Sequence, residues 1–396
     1  MTKVRIFVFL STLIIVGVIG IFVSFYARGF RLNLKTFKFE PNGILVIKSE
    51  PDGASVYING ELKTATNTSL SISPGVYDVE VKKDGFFPWY KRLAIDKEIV
   101  TNVNISLFRN VPSLSPVTFS GAVNPMVSQD GTKIAFLVPK TGLWSLDTFN
   151  FPLGFSNDPK RITDGDLTGS TYIFSPDARQ ILLTTSNGIF LLDSGSFISQ
   201  SQRVNIASQA PSILNQWQNE KKLKAESLVK YLPPELADIL KRKTGSFIFS
   251  PDEAMILYAA SSSGTLPDNL IRPLPGSATQ KQERAIKAGS TYVYDTKEDR
   301  NFLITNQEAT VNGQQSTANS LQGLALRWMP SSRHILLAQP NQVIIMDYDG
   351  TNRQTIYSGS YFAPFAFPYR NSTKLLILTN LGATSLIPNL YALTVK

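Results

Sequence analysis

A short phrase recurs through the C-terminal part of this chain, and it restricts the fold more than any other feature. An apolar strand runs into a turn built on Ser-Pro-Asp or a relative of it, a second apolar strand follows, and a third strand ends in Asp. The first copy is Val127-Ser128-Gln129-Asp130-Gly131, then Lys133-Ile134-Ala135-Phe136-Leu137, then Leu143-Trp144-Ser145-Leu146-Asp147. The second runs Ile173-Phe174-Ser175-Pro176-Asp177, Ile181-Leu182-Leu183 and Ile189-Phe190-Leu191-Leu192-Asp193. A third opens with Ile248-Phe249-Ser250-Pro251-Asp252 and Met255-Ile256-Leu257-Tyr258, and reaches Tyr292-Val293-Tyr294-Asp295 after a polar insertion. The fourth reads Trp328-Met329-Pro330-Ser331, Ile335-Leu336-Leu337 and Val343-Ile344-Ile345-Met346-Asp347. A degenerate fifth holds Phe367-Pro368-Tyr369, Leu375-Leu376-Ile377-Leu378 and Leu390-Tyr391-Ala392-Leu393. A unit that cannot bury its apolar face alone must stack on its neighbours, so the copies specify one repeating β architecture.

This pattern resembles TolB-type β-propeller repeats, in which the Ser-Pro-Asp turn joins the first two strands of a four-stranded blade. The resemblance covers residues 112–396 and implies about five blades, with six or seven open if a degenerate copy is hidden. It places Arg161-Ile162-Thr163, Arg203-Val204-Asn205 and Arg353-Gln354-Thr355 on outer strands. No fourth strand follows the fifth copy, so residues 115–119 are expected to supply it and close the ring. The competing architecture is an irregular β-sandwich with chance Ser-Pro turns.

Two stretches interrupt the phrase. Residues 209–243 read as a helical hairpin, with Ile213, Leu214, Trp217, Leu223 and Leu228 partly on one face. Pro233-Pro234-Glu235 opens its second helix, whose stripe is Leu236, Ile239 and Leu240. Residues 261–288, with Leu266-Pro267 and Pro273-Leu274-Pro275-Gly276, read as a long loop.

Between residues 43 and 109 the runs are shorter and the turns denser. A strand over residues 43–49 meets Pro51-Asp52-Gly53-Ala54; Ser55-Val56-Tyr57-Ile58 leads into Asn59-Gly60, a hairpin dipeptide. Ser73-Pro74-Gly75 turns into Val76-Tyr77-Asp78-Val79-Glu80-Val81, followed by Lys83-Asp84-Gly85-Phe86 and a last strand near residues 103–107. The segment resembles the PEGA domain, with Asp52 where the eponymous Glu stands. That resemblance implies a compact β-sandwich common in bacterial surface and envelope proteins, without catalytic residues. Tyr57, Phe86, Phe87, Trp89 and Tyr90 are expected to pack it.

Residues 6–27 form 22 consecutive uncharged positions rich in Ile, Val, Leu and Phe. As a helix they reach about 33 Å, enough for a hydrocarbon core of about 30 Å. A cleaved signal peptide has a shorter apolar core and a small-x-small site, whereas Phe25 stands two positions before Ala27 here, so an uncleaved anchor in the lipid bilayer is expected. Residues 1–5 are then a short tail and residues 28–42 a basic juxtamembrane linker. The cations flanking the segment, Lys3 and Arg5 against Arg28, Arg31, Lys35 and Lys38, favour the wrong end by the positive-inside rule. The shortness of the tail and the extracytoplasmic character of the resembled modules favour N-terminus in and the β region out, in the cell membrane.

Those six cations supply most of the formal net charge of +9, leaving only +3 beyond residue 38. A nearly neutral β region lacks the basic face that phosphate neutralisation requires, so no nucleic-acid partner is expected. With Cys 0, disulfides, thiolate chemistry and lipid attachment through Cys are absent. The single His, His334, sits in Ser331-Ser332-Arg333-His334 as an expected exposed strand-entry residue rather than a catalyst. No phosphate loop, dinucleotide turn or nucleophile elbow occurs, and neither cofactor nor metal is expected. Asp130, Asp177 and Asp252 cap the same repeated turn, and Asp147, Asp193, Asp295 and Asp347 end equivalent strands. Asp347-Tyr348-Asp349-Gly350 opens like a calcium loop but lacks its later ligands.

The expected function is therefore a non-enzymatic, membrane-anchored binding or scaffolding protein of the envelope, offering a propeller to a protein, peptide or glycan. Trp217 in the helical hairpin is the one candidate contact, with the 261–288 loop beside it as an element. The alternatives are a propeller glycosidase or lyase using Asp/Glu pairs, and a membrane sensor or anchor subunit.

Overall fold

A computed structural model describes residues 2–27, 30–33, 38–149, 158–272, 279–306, 326–383 and 386–396. The chain divides into two compact units, Met1–Leu107 with Pro275–Gln280, and Phe108–Leu274 with Lys281–Lys396. It is mainly β, with three α-helices among the described residues.

In the first unit, helix α1 spans Thr2–Ala27. Its apolar stretch Val4–Tyr26 runs for 23 residues with none of it buried, so it is not a core helix. Its length and composition suit a membrane anchor or a signal sequence. Within it the Thr12 hydroxyl donates to the Val8 carbonyl at 2.9 Å, which satisfies the polar group inside the helix. The stretch expected as a linker contains a two-stranded ladder, Phe30–Asn33 against Lys38–Pro41; residues 28–29 and 34–37 lie outside the described residues.

Two sheets follow. One orders Thr68–Ile72, Gly43–Glu50 and Val100–Ser106; the other orders Glu61–Ala65, Ser55–Ile58, Gly75–Lys82 and Trp89–Ile95. Alternation puts Leu45, Ile47, Val56, Val79, Val81, Leu93 and Ile105 into one core between the sheets. The Pro51-Asp52-Gly53-Ala54 turn carries the chain from one sheet to the other, and Asn59-Gly60 makes the hairpin, both residues at positive φ (50° and 82°). One ladder is parallel: Val100–Ser106 runs alongside Gly43–Glu50. Antiparallel alternation could not reveal that pairing, because its partner lies far along the chain.

The second unit holds five successive meander sheets among the described residues. The first is Val123–Val127, Lys133–Val138, Gly142–Asp147 and Lys160–Asp164. Thr171–Phe174, Gln180–Thr185 and Gly188–Asp193 form the second, with a bridge from Phe190 to Asn205 where a fourth strand would lie. The third joins Thr244–Phe249, Met255–Ala260, Thr291–Asp295 and Arg300–Thr305; the fourth joins Leu326–Trp328, His334–Gln339, Gln342–Asp347 and Gln354–Ser358. In the fifth, Ala366–Pro368, Lys374–Thr379 and Asn389–Thr394 are completed by Ser113–Pro116 from the start of the unit.

The closing strand therefore begins two residues before the expected stretch and ends at Pro116. Proline has no N–H to continue a ladder, and the chain turns away with the Val117 and Thr118 N–H groups both donating to the Leu390 carbonyl. A single core cluster joins Ile134, Phe136 and Leu146 of the first sheet to Phe367, Leu376 and Leu390 of the fifth. Another joins Ala135 and Leu143 of the first to Tyr172, Ile181 and Leu183 of the second. Stacked sheets whose last member packs on the first make a propeller-type ring.

One turn geometry explains the recurring phrase. Ser128, Ser175 and Ser250 each donate through Oγ to Asp130, Asp177 and Asp252 at 2.6 Å, and each Oγ accepts the N–H of the residue five positions on at 2.9 Å. The residue after the Asp position has positive φ in every copy: Gly131 (70°), Ala178 (61°), Glu253 (60°), Ser332 (60°) and Ser372 (57°). The insertions are helix α2, Ala210–Val229, and helix α3, Pro234–Arg242, followed later by the short pairing of Gly264–Thr265 with Ala285–Ile286. Leu236, Ile239 and Leu240 of α3 pack on Ile256, Tyr258 and Tyr292 of the third sheet.

Candidate binding channel

The first strands of neighbouring sheets approach one another at four junctions. The Tyr172 hydroxyl donates to the Asn124 carbonyl and, at 2.8 Å, to that of Ala135. Trp328 Nε1 donates to the Ile248 carbonyl at 3.3 Å. The Arg327 guanidinium lies 4.8 Å over the Phe367 ring, and Val127 packs against the cluster that holds Phe367. First strands that meet one another in this way are the inner strands of the ring.

Counting back two residues from the start of each turn gives equivalent inner positions: Met126, Ile173, Ile248, Arg327 and Phe367. Ile173 is 38% exposed although Tyr172 and Phe174 beside it are buried, and Ile248 is 39% exposed. Met126 packs against the core between the first and second sheets and Phe367 is 1% exposed in the core between the first and fifth, so Ile173 and Ile248 are the open apolar side chains of this register. Its one charged residue is Arg327. The Nε of Arg327 is buried with no hydrogen-bond partner. Burial alone pulls its pKa down to about 10, with no neighbouring charge contributing. The group stays charged at neutral pH, and its guanidinium rests on the Phe367 ring with no ion-pair partner among the described residues.

Carboxylates stand elsewhere. The described inner strands carry no Asp or Glu, and the repeated Asp side chains are engaged in their turns, as expected. Hydrogen bonding from Ser175 holds Asp177 below the usual carboxylate range. Burial raises Asp295, which accepts the N–H groups of Lys297 at 2.8 Å and Glu298 at 3.1 Å. Among the described residues no cluster of His, Asp and Glu has metal-holding geometry.

His334 is buried, only 4% exposed, and this corrects the expectation of an exposed strand-entry residue. It does open a strand, but the ladder sets it opposite Asp347 and the Phe108 ring covers it edge-on at 5.1 Å. Its Nδ1 lies 3.0 Å from Ser331 Oγ and its Nε2 3.5 Å from Asp347 Oδ1. The trio has the residue types of a hydrolytic triad, yet Ser331 occupies the turn position held by Asp in three other copies. There its Oγ accepts the Arg333 N–H, at 3.4 Å, as Asp177 accepts that of Arg179. A ring enclosed between a turn and a strand end fastens the two together.

The smaller sandwich is cross-linked by an exposed Arg92–Asp78 pair at 2.7 Å and by the Thr66 hydroxyl, which accepts the Ala54 N–H at 2.9 Å beneath the Pro51-Asp52-Gly53 turn. Residues 42–110 match the PEGA domain. Within the PEGA domain, Trp89 is buried and Phe86 packs against the core, whereas Tyr90 is half exposed on the other face of its strand. No curated protein matches the chain.

Among solved structures, a putative TolB from Agrobacterium tumefaciens is 14% identical, aligns over 67% of this chain and 76% of its own, and gives a TM-score of 0.22. TolB from Acinetobacter baumannii is 13% identical over 80% of this chain and 59% of its own, with a TM-score of 0.19. Hsv2 from Kluyveromyces lactis is 9% identical over 65% and 70%, with a TM-score of 0.24. Likeness at that level carries no argument about binding, and the propeller-type architecture rests on the strand order and packing of this chain.

Trp217, the candidate contact, is 7% exposed, so its ring is not a surface group. The open apolar side chains of the same insertion are Leu223 and Tyr231. The 261–288 loop is described outside residues 273–278, and Leu266 and Ile286 fix its ends in the core of the third sheet. Arg327 escaped notice in the sequence because it precedes a Met-Pro-Ser turn. Aligned on the turns, it is the only charged residue at its position.

Proposed function

We propose that this chain is a membrane-anchored, extracytoplasmic binding or scaffolding protein of the cell envelope. In this reading, residues 1–5 are a cytoplasmic tail and residues 6–27 the uncleaved anchor. Residues 28–42 are a juxtamembrane segment, 43–109 the PEGA-type module, and 112–396 the propeller with insertions at 209–243 and 261–288. The observation that supports binding most directly is the pair of open apolar side chains on the inner strands, Ile173 and Ile248, each more than a third exposed. Apolar groups left open on a packed framework offer a surface that a partner can cover. A protein, peptide or glycan fits that description, and the Leu223 and Tyr231 side of the helical insertion is a second contact surface.

Site-specific photocrosslinking in growing cells tests this. A crosslinker at position 173 is expected to yield a discrete adduct, while one at exposed Val204 is not. Equal labelling from both positions, or none from 173, would refute the inner strands as the contact. Protease treatment of intact cells tests placement: cleavage of the PEGA domain is expected, and its full protection would put the β region in the cytoplasm.

A further inference from the structure

We propose that one end of the fifth sheet is a lipid-contacting surface, at which Phe119, Phe362, Leu381, Leu386 and Ile387 enter the interfacial layer of a phospholipid bilayer. This goes beyond the binding reading above and takes from it only the anchor that holds the chain at a membrane.

Strand register brings three separate loops to that end. Pro116, the last residue of the closing strand, pairs with Tyr391; Thr379 pairs with Asn389 across the hairpin; and Ala366, which opens the sheet's first strand, pairs with Ile377. Residues 117–122, 380–388 and 360–365 therefore emerge side by side. Direct contacts join them. The Gly121 N–H donates to Asn389 Oδ1 at 2.9 Å, and a Cβ on Gly121 would lie 2.6 Å from Ile387 Cγ2. The Phe362 N–H donates to the Leu378 carbonyl at 2.8 Å, and the Thr379 hydroxyl donates to the Ser360 carbonyl at 2.6 Å. The five large apolar side chains on these loops are 42% to 81% exposed. Apolar groups gathered in this way mark a surface that something covers.

Two features select lipid over protein. The stretches that build this end, residues 110–129, 354–369 and 375–395, contain no charged residue. A protein interface carries a polar rim, whereas a charge near hydrocarbon is costly. The second feature is the backbone, whose N–H groups are spent within the loops: Ala122 donates to the Pro388 carbonyl, Leu381 to Thr379 Oγ1, Ala383 to the Asn380 carbonyl and Leu386 to that of Ala383. Pro364 and Pro388 have no N–H to satisfy. Backbone that enters a layer poor in water must meet its own polar needs, as these loops do. The apolar stretch of α1 supplies the bilayer. On an anchored chain the second contact is intramolecular, so a shallow insertion of a few side chains suffices.

The chain has no Cys, so one substitution creates one labelling position. The test uses the full chain carrying Phe119→Cys, Leu386→Cys or, as a comparably open control, Val204→Cys. Each is labelled with nitrobenzoxadiazole and reconstituted into phosphatidylcholine–phosphatidylglycerol vesicles with and without doxyl-labelled lipid. Quenching at positions 119 and 386 is expected to exceed that at 204 by about twofold or more. Phe119→Asp is expected to remove most of the quenching at position 386 with an unchanged melting temperature, because residue 119 is open to solvent. Equal quenching at all three positions overturns the proposal, as does undiminished quenching at 386 in Phe119→Asp. Absence of quenching with excimer emission between copies carrying pyrene at position 119 would assign the surface to a second copy, and absence of both to another protein; either overturns the proposal. An alkaline wash separates this surface from the anchor. Release of a chain whose 119 and 386 labels were quenched before the wash would refute the anchor and support the lipid surface. Retention with those labels unquenched would refute the surface and leave the anchor standing.

Discussion

The Tyr172 hydroxyl donates to the Ala135 carbonyl at 2.8 Å, tying the inner strand of the second sheet to the second strand of the first. The bond is buried, and burial raises the phenol far above its ordinary pKa, so it stays a donor across the pH range in which the protein is handled. Tyr172→Phe is expected to cost about 1–2 kcal/mol by stranding buried acceptors, read as a lower chemical-denaturation midpoint. The loss should be constant from pH 6 to 9. A neutral substitution would show that the junction is held by packing alone.

The repeated turn predicts a stabilising change. Glu253 is exposed and adopts a φ of 60° where the first copy has Gly131 at 70°. A side chain in the left-handed region costs about 1–2 kcal/mol, partly offset by the lower chain entropy of a non-glycine residue when unfolded. Glu253→Gly is expected to raise stability by about 0.5–1 kcal/mol, measured by urea unfolding.

Two hairpin glycines separate steric effects by what they face. A Cβ on Gly142 (φ 131°) would lie 1.9 Å from the Thr163 carbonyl oxygen, whereas one on Gly188 (φ 147°) would meet the Asn205 side chain at 2.5 Å. Backbone in a ladder cannot give way, but an amide side chain can rotate. Gly142→Ala is expected to destabilise by about 3 kcal/mol or more and Gly188→Ala by about half as much. Equal losses would show that strained φ, common to both, dominates.

Acid should loosen the turns in a defined way. The Ser175 hydrogen bond and the Arg179 N–H keep the folded pKa of Asp177 below its unfolded value. Its contribution is therefore present above about pH 4, the unfolded carboxylate value, and lost as pH falls through the folded pKa. Asp177→Ala is expected to cost about 1 kcal/mol at pH 7, with the gap to wild type closing below pH 4. A gap that persists at pH 2.5 would contradict the assignment.

Much of this fold could be read from the residues because its signals are local. Ser175, Pro176 and Asp177 form a turn wherever they fall between apolar runs, and Asn59-Gly60 dictates a hairpin by its own backbone preference. What escaped was set at a distance. Nothing near residues 100–106 announces a parallel partner at residues 43–50, and nothing near His334 shows that Phe108 covers its ring. Trp217 reads as an exposed anchor only if the helix is taken alone, and packing buries it. Arg327 needed the copies laid on one register before its charge stood out.

The pairing of Ser113–Pro116 with residues 391–394 also sets a timetable. Ser113 leaves the ribosome long before Thr394, its partner, is polymerised, so the fifth sheet stays one strand short throughout synthesis. That edge stays unclaimed until residues 391–394 are made, and a nick that removes them would release an open ring with bare backbone donors. Loss of Asn389–Thr394 would bare two strands at once, Ser113–Pro116 and Lys374–Thr379, because it pairs with both.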